Sequence, residues 1–354
     1  MFSPVSSTRI PDNALRNIVE HLDFRSIQIL RKTCCDLRNY VDDVQLRTHM
    51  TSIRITVHSE AIYLHLEFDD EENKKYQVGY QKNRDGCCVR RYDPEKTSTK
   101  MIRNANFLTI FREDLRVILN QQASLLRKFD LTFEHYNFEN QNNRIGSMEL
   151  ISAKIIDSLD KILRSRRIKF QVEEFEIEIM DQTRIPSILS HIDSRKLKKI
   201  TLASAELRAR EPLKIEELED LDQWKNAKVL EIYQFKVTKP IKSFLRFEEV
   251  NIVLETISEV DLLFLRQSFL HFSHLKSFKI HSKCLKGSLN LMKSFGQSYD
   301  DSDENGSKRR RWFYSIPKRE HEVLMIHYDF YSCIHYYIVN PTYVPRNAIL
   351  LNNK

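Results

Sequence analysis

The sequence predicts a fold of the α+β or α/β class, with three short helices at the amino terminus, then a β-meander, and then an irregular α/β array. Three observations lead to this prediction. Apolar residues recur at helical spacing within residues 10–44, and they alternate with a period of two from residue 51 to about residue 95. Beyond that point, a short strand-like pattern recurs along the chain. With 354 residues, the chain has room for about two domains.

The first predicted helix runs from about residue 13 to residue 22. Its apolar residues Leu15, Ile18, Val19 and Leu22 are spaced i, i+3, i+4 and i+7, which places them on one side of a helix. The sequence therefore indicates an amphipathic helix with a continuous apolar stripe.

Two more short helices are predicted directly after the first. Ser26 suits the N-cap of the second helix. The apolar stripes consist of Ile27, Leu30 and Cys34 on the second helix and of Leu37, Tyr40, Val41 and Val44 on the third. A segment of about 35–40 residues is near or below the size that usually folds without a staple. We therefore expect part of its apolar surface to contact the rest of the chain or another protein.

This segment resembles an F-box domain, whose pattern has Leu-Pro, then Leu and Ile on the first helix, then Leu-Asp, Leu-Arg and Cys. The matching residues are Ile10-Pro11, Leu15, Ile18, Leu22-Asp23, Leu30-Arg31 and Cys34. Two positions depart from the family pattern, because Ile10 replaces the usual Leu and Leu37 stands where many members have Trp. The stretch LRKTCCDLRNYVDD is similar to the expanded nematode branch of the family.

The resemblance implies that residues 8–48 form an F-box that docks on a small Skp-type adaptor, which in turn links to a cullin and a RING subunit. Spacing alone leaves open which of the apolar residues point inward. The residues expected to face the adaptor are Ile10, Pro11, Leu15, Ile18, Leu22, Ile27, Leu30 and Arg31.

Composition indicates a globular protein that acts inside the cell, in the cytoplasm, the nucleus or both. Hydrophobic residues make up 41% of the chain and charged residues 30%. No apolar run approaches the roughly 18–20 residues that span a bilayer, and the first residues lack the apolar core of a signal peptide. The six cysteines suggest neither a disulfide framework nor a zinc module. We expect no membrane partner.

The net charge of +7 is spread along the chain, because basic clusters alternate with acidic stretches. Nucleic-acid binding requires basic residues on one face together with stacking aromatic residues. The sequence has no such stripe, so we expect no nucleic-acid partner.

Residues 49–125 are predicted to form a connecting region of a β-meander and one helix. Beyond it, one apolar pattern recurs along the chain. Each copy has a leading apolar residue at position i and two more at i+3 and i+5, and helical segments lie between most copies. The copies are Leu126-Phe129-Leu131, Val172-Phe175-Ile177, Leu197-Ile200-Leu202, Ala227-Leu230-Ile232, Phe247-Val250-Ile252 and Leu275-Phe278-Ile280. This pattern favours parallel strands with right-handed crossovers, in a degenerate leucine-rich-repeat-like array over residues 126–296. A single irregular α/β domain without repeats is the alternative.

Part of this array resembles the FTH-type domain that follows an F-box in many nematode proteins. The resemblance covers roughly residues 150–300 and implies a protein-binding surface, although a buried structural role is favoured for Trp224 itself. Its signature is carried by Gln223, Trp224, Lys225, Ala227 and Lys228.

The carboxy-terminal part is predicted in two pieces. Residues 297–310 are acidic and polar and indicate a loop, whereas residues 311–354 indicate a β-hairpin and a tail. The basic run at 308–311 suits either a nuclear-import signal or the start of a strand.

No residue pattern points to catalysis, a metal or a cofactor. The strongest metal candidate combines His271, His274, His281 and Cys284, but surface histidines are the favoured interpretation. With six glycines in the whole chain, no glycine-rich phosphate loop is present. We therefore expect a protein that is not an enzyme and needs no cofactor.

Taken together, the two resemblances imply a substrate-recruiting subunit of a cullin-RING ubiquitin ligase of the SCF type. It would bind a Skp-type adaptor through the F-box and an unknown target protein through the carboxy-terminal domain. Two alternatives stay open: an F-box interaction module that acts outside a ligase, and an enzyme in the α/β region. A deep pocket with convergent titratable groups would indicate the enzyme.

Overall fold

The structure is a computed structural model that describes residues 11–43, 49–69, 75–92, 97–134, 141–206, 211–282, 293–302, 308–329 and 333–352. The chain divides into two compact units. Unit 1 comprises residues up to 175 together with 187–196, and unit 2 comprises 176–186 together with 197 onwards. Each unit is described by itself.

Unit 1 begins with three short helices, α1 (Asp12–Glu20), α2 (Phe24–Leu30) and α3 (Cys35–Asp43). Helix α2 starts two residues before the predicted position, and its N-cap is Asp23 rather than Ser26. The Asp23 carboxylate accepts the Ser26 backbone N–H at 2.8 Å, so Ser26 is the capped residue.

A five-stranded antiparallel meander follows the helices. Its strands are β1 (Met50–Val57), β2 (Ala61–Phe68), β3 (Lys75–Asn83), β4 (Gly86–Tyr92) and β5 (Ser98–Arg103). The meander prediction is confirmed, and each of the five strands is antiparallel to the next along the chain. The alternation of buried and partly buried residues along β2 is the period of two that the sequence contains.

Helix α4 (Phe107–Gln121) covers the apolar face of the meander, where Phe111 packs edge-on against Tyr80 with ring centroids 5.5 Å apart. The helix ends at Gln121, and the next strand, β6, spans Leu126–Phe133. Strand β6 is parallel to β1, so the strand order in unit 1 is β6-β1-β2-β3-β4-β5.

The chain then passes through α5 (Gln141–Ser165), β7 (Val172–Ile179) and α6 (Ile185–Ser190). Strand β7 starts in unit 1 and ends in unit 2. In unit 1, Asp160 of α5 accepts a hydrogen bond from Ser187 at 2.6 Å, which ties α6 to α5.

Unit 2 contains four parallel strands, β8 (Lys199–Ser204), β9 (Val229–Val237), β10 (Glu249–Leu254) and β11 (Ser277–His281). Between them lie α7 (Glu216–Glu219), α8 (Asp222–Asn226) and α9 (Glu259–His271). Ser258 and Asp261 form a capping box at the start of α9.

The remaining strands of unit 2 extend the sheet through antiparallel pairs, except for β16, which is parallel to β13. They are β12 (Tyr299–Ser302), β13 (Lys308–Ser315), β14 (Val323–Asp329), β15 (Cys333–Val339) and β16 (Leu350–Leu351). The strand order is β8-β9-β10-β11-β15-β14-β13-β12, and β16 also pairs with β13. This arrangement confirms an α+β fold with amino-terminal helices and a mixed sheet.

The recurrent apolar pattern marks strands, as predicted. Every apolar residue in the six copies is buried, and the copies coincide with β6 to β11. The four copies in unit 2 start strands that run parallel to one another, because each connection between them carries the chain back to the same end of the sheet.

The segment predicted as a loop, residues 297–310, instead contains β12 and the start of β13. Arg310 forms two hydrogen bonds with the Asp300 carboxylate, both 3.1 Å long, across this pair of strands. The acidic stretch that suggested a loop therefore pairs as a strand with the basic run. The basic run at 308–311 is the start of a strand, one of its two predicted interpretations.

The packing predicts that two phenylalanines of unit 2 contribute very differently to the free energy of unfolding. Phe247 is fully buried and meets the Trp224 ring edge-on at 5.3 Å, whereas Phe272 is 46% exposed. We expect Phe247→Ala to lower the free energy of unfolding by about 3–5 kcal/mol. The matched change Phe272→Ala should cost roughly 1 kcal/mol or less. Urea unfolding followed by circular dichroism measures both, and equal losses would contradict the packing described here.

Candidate protein-interaction surface on the amino-terminal helices

Helices α1, α2 and α3 enclose a small apolar core of their own. Leu15, Val19, Ile27 and Val41 are buried in it, with at most 6% of each residue exposed. The partly buried residues Leu22, Leu30, Leu37 and Tyr40 pack around this core. The three helices thus form a cluster with its own apolar centre.

Three apolar residues of this cluster point to solvent. Pro11 is exposed at the start of α1, Ile18 is 49% exposed on α1, and Ile29 is 59% exposed on α2. The described part of the chain leaves this apolar surface of two neighbouring helices exposed.

The residues expected to face an adaptor fall into three groups. Leu15 and Ile27 lie in the core, Leu22 and Leu30 lie at its margin, and Pro11 and Ile18 are exposed. Ile10 lies outside the described residues. Ile29, which the prediction did not include, is the most exposed isoleucine of the described residues.

Arg31 has a role within the cluster that the sequence did not reveal. Its guanidinium donates two hydrogen bonds to the Asp42 carboxylate, at 2.7 and 2.8 Å, and so joins α2 to α3. About 13% of its side chain is exposed, which leaves little of it for an external partner.

A polar network fixes the three helices to α4. Gln121, at the end of α4, is buried and accepts a hydrogen bond from Gln28 at 2.7 Å. The Gln121 amide also donates to Asp42 at 3.2 Å, so the Asp42 carboxylate accepts hydrogen bonds from both Gln121 and Arg31. Because 93 positions separate Gln28 from Gln121, no local sequence signal could have predicted this contact.

An aromatic contact adds a second attachment. Phe24 at the start of α2 lies 5.2 Å from Phe68 and 6.1 Å from Tyr76, measured between ring centroids. The helices therefore have both a polar and an apolar anchor on the meander unit.

Burial and nearby charges shift the pKa values of two carboxyl groups near this junction in opposite directions. Burial opposes ionisation of Asp42, but its hydrogen bonds and its attraction to Arg31 prevail and lower its pKa from 3.8. Burial raises the pKa of Asp114 on α4, which accepts a hydrogen bond from Tyr80 at 2.8 Å. Lys32 and Arg31 partly oppose that increase in the Asp114 pKa.

Comparison with known domains and proteins supports both family resemblances, the F-box and the FTH domain. The F-box domain profile matches residues 7–49, and the FTH domain profile matches residues 153–297. The chain is a nematode-type F-box protein with an FTH domain. It is similar to F-box A protein 224 of Caenorhabditis elegans, with 22% identity over 325 residues, which cover 89% of this chain and 75% of the relative.

The residues predicted to carry the FTH signature lie mostly inside the fold. Gln223 and Trp224 of α8 are buried, as is Ala227, whose N–H bonds to the Gln223 carbonyl at 3.1 Å. Among the described residues, the Trp224 indole N–H has no hydrogen-bond partner. Lys225 donates to the Asp220 carbonyl at 2.7 Å, and Lys228 forms an ion pair with Glu248.

The described part of the F-box protein contains no cluster of three or more His, Cys, Asp or Glu residues that could hold a metal. Of the metal candidates, His274 binds the Leu245 carbonyl at 2.6 Å and His271 bonds to the Gln267 carbonyl at 2.7 Å. Cys284 lies outside the described residues. Among the helices that can be described, none is long and apolar enough to span a bilayer.

Two surface grooves bear on the enzyme alternative. One groove of about 330 Å³ lies on the meander and includes Glu67, which forms an ion pair with Lys75 at 3.2 Å. Another, of about 230 Å³, includes Gln182, whose amide is bonded to the Lys214 N–H and the Pro212 carbonyl. The polar groups named here are engaged in contacts that hold the fold.

The junction of the F-box with α4 predicts a pH-dependent effect of Asp42. Because the folded pKa of Asp42 is lowered, its contribution to stability is complete above its unfolded pKa and is lost as the pH falls through the folded value. We expect Asp42→Asn to destabilise the protein by roughly 0.5–1 kcal/mol at pH 7, because the carboxylate is partly exposed.

Urea unfolding at pH 7 and at pH 3 tests this expectation. The difference between Asp42→Asn and the parent protein should shrink at pH 3, where the parent carboxyl is increasingly protonated. The neighbouring change Asp43→Asn is the matched control and should be close to neutral at both values. A loss for Asp42→Asn that is independent of pH would contradict the ion-pair explanation.

Proposed function

We propose that this F-box protein recruits a target protein to a cullin-RING ubiquitin ligase of the SCF type. Its F-box would bind a Skp-type adaptor, which connects it to the cullin, and its FTH domain would bind the target. This places the site of action inside the cell, in the cytoplasm, the nucleus or both.

The observation that carries the proposal is the exposed apolar surface of a matched F-box. Pro11, Ile18 and Ile29 face solvent, although the cluster also has a complete core and two anchors on α4 and the meander. Covering such residues with a partner is favourable by about 25 cal/mol per Å² of apolar surface. A standard interface of about 1,600 Å² would cover more than these residues, with Leu22 and Leu30 at its margin.

In this role the protein holds its target close to the enzyme that transfers ubiquitin. A target held on the FTH domain is brought to a charged ubiquitin-carrier enzyme, which raises its effective concentration there. The chain itself carries no step of the chemistry, which is consistent with F-box and FTH domains as interaction modules.

An interaction module outside a ligase is the principal alternative. It would bind the adaptor in the same way, since the same F-box surface would be used, but it would not associate with the cullin. Co-purification of adaptor and cullin together therefore distinguishes the two functions.

Substitution of the exposed isoleucines tests the adaptor contact. We expect Ile18→Asp and Ile29→Asp each to weaken adaptor binding by about tenfold or more, because burying an isoleucine contributes about 1.5–3 kcal/mol. The fold should persist because both side chains lie outside the core. Titration calorimetry with the purified adaptor measures the affinity, and co-purification reports the cullin.

Val260→Asp is the matched control, since Val260 is an exposed apolar residue, 74% accessible, on a helix of unit 2. It should leave adaptor binding unchanged. Leu15→Asp should instead unfold the helical cluster, because Leu15 is buried in its core. Unchanged adaptor affinity in a folded Ile18→Asp, Ile29→Asp double variant would refute the proposed surface, and a complex with adaptor but never cullin would refute the ligase role.

A further inference from the structure

Each of the four copies of the recurrent apolar pattern in unit 2 has a charged residue directly after its leading apolar residue. These residues are Lys198, Lys228, Glu248 and Lys276, which directly precede β8, β9, β10 and β11. Their backbones form a continuous ladder, in which Lys228 N–H donates to the Lys198 carbonyl at 2.8 Å and Glu248 N–H donates to the Lys228 carbonyl at 2.7 Å. Lys276 N–H donates to the Glu248 carbonyl at 2.8 Å.

The ladder places the four side chains in a line across the amino-terminal edge of the parallel strands, with a spacing of about 4.8 Å per strand. We call Lys198, Lys228 and Lys276 the lysine row. The three lysines are exposed, and Lys228 and Lys276 keep 63% and 62% of their side chains accessible.

Glu248 is the single carboxylate within this line, and two of the lysines share it. Lys228 lies 2.7 Å from one of its oxygens and Lys276 lies 2.6 Å from the other. Hydrogen bonds from these two lysines lower the pKa of Glu248, so it stays ionised at neutral pH. Two lysines of the row thus share one carboxylate, and Glu249 also attracts Lys276.

The opposite ends of the same strands have a different balance. Lys236, near the end of β9, pairs with Glu255 at 3.2 Å. Lys239 lies between two carboxylates, Glu216 at 3.3 Å and Glu219 at 3.1 Å. Among the ion pairs described at the two ends, those of the lysine row have two lysines to one carboxylate, and the exposed Arg246 lies two positions before Glu248.

We propose that the lysine row is a docking surface for an acidic segment of the target protein. The inference rests on the proposed function, because it gives the chemistry by which the FTH domain would hold its target. Three exposed ammonium groups in a line suit a chain of carboxylates, and such charge-assisted hydrogen bonds are among the stronger ones. The backbone ladder fixes the spacing of the three lysines, so that binding has to order only their side chains.

Nucleic acid is less well matched to this surface. Binding of single strands combines a basic groove with several aromatic side chains on which bases stack. Near the row, Phe272 is an exposed aromatic residue, and its ring lies 5.8 Å from that of His274. An acidic protein segment requires charge alone and is the partner that the row fits.

The structure gives Glu248 a definite part in this recognition. Its carboxylate occupies two of the lysines in the free protein and would compete with an incoming acidic segment. Removing its charge releases Lys228 and Lys276, so the proposal predicts tighter binding from Glu248→Gln.

The test uses the full chain and a fluorescein-labelled hexaglutamate peptide, with binding followed by fluorescence anisotropy at low salt. We expect the triple variant Lys198→Gln, Lys228→Gln, Lys276→Gln to bind at least tenfold more weakly than the parent, and Glu248→Gln to bind about three- to tenfold more tightly. The control Lys236→Gln, Lys239→Gln removes two lysines from the opposite ends and should change the affinity less than twofold.

If the triple variant fails to fold by circular dichroism, Lys198→Gln alone and Glu248→Gln decide the question. The proposal is overturned if the folded row variants bind like the parent, if Glu248→Gln does not bind more tightly, or if a labelled 20-nucleotide single strand binds as tightly as hexaglutamate. Adaptor binding by the same variants is a separate readout. If it persists while peptide binding fails, the lysine row is refuted and the adaptor-binding role stands.

Discussion

The register of the parallel strands in unit 2 determines which of their side chains are buried and which are exposed. In a strand, successive side chains face opposite sides, so a shift of one residue would exchange every buried position for an exposed one. The leading apolar residues Leu197, Ala227, Phe247 and Leu275 are all buried, which fixes that register strand by strand. As a result, the residues directly after them form a line at one edge of the sheet. The arrangement of charges at the edge thus follows from the packing of the core.

The amino-terminal helices obey a different constraint, because their core is small. A cluster of this size has few fully buried side chains, and here it gains support from α4 and the meander through Gln121 and Phe24. Ile18 and Ile29 remain exposed, so the helices combine a supported fold with apolar side chains in contact with solvent.

Much of the fold could be predicted from the sequence, because its signals are local. Alternation with a period of two indicates the meander, and the recurrent apolar pattern indicates β6 to β11. The errors came from competing local signals. Ser26 and Asp23 are both good helix caps, and the charged carboxylate is the one that caps α2. The acidic stretch around residue 300 indicated a loop, yet it forms a strand that pairs with the start of β13.

The candidate site was harder to predict, because it depends on which side of a stripe faces the core. Leu15 and Ile18 belong to the same apolar stripe of α1, but one is buried and the other is half exposed. Helical spacing cannot separate them, since they are three positions apart on one face. Arg31 matches the family pattern, yet its guanidinium is bound to Asp42, a contact that depends on how α2 and α3 pack.

The positions of the tryptophans have a practical consequence for spectroscopy. The chain has two, Trp224 and Trp312, and both are buried in unit 2. The Trp312 indole donates to the Gly296 carbonyl at 3.1 Å, whereas the Trp224 indole has no acceptor among the described residues. Intrinsic emission on excitation at the red edge of the indole band therefore originates in unit 2, with one hydrogen-bonded and one unbonded chromophore, and unit 1 with its F-box is silent at that wavelength.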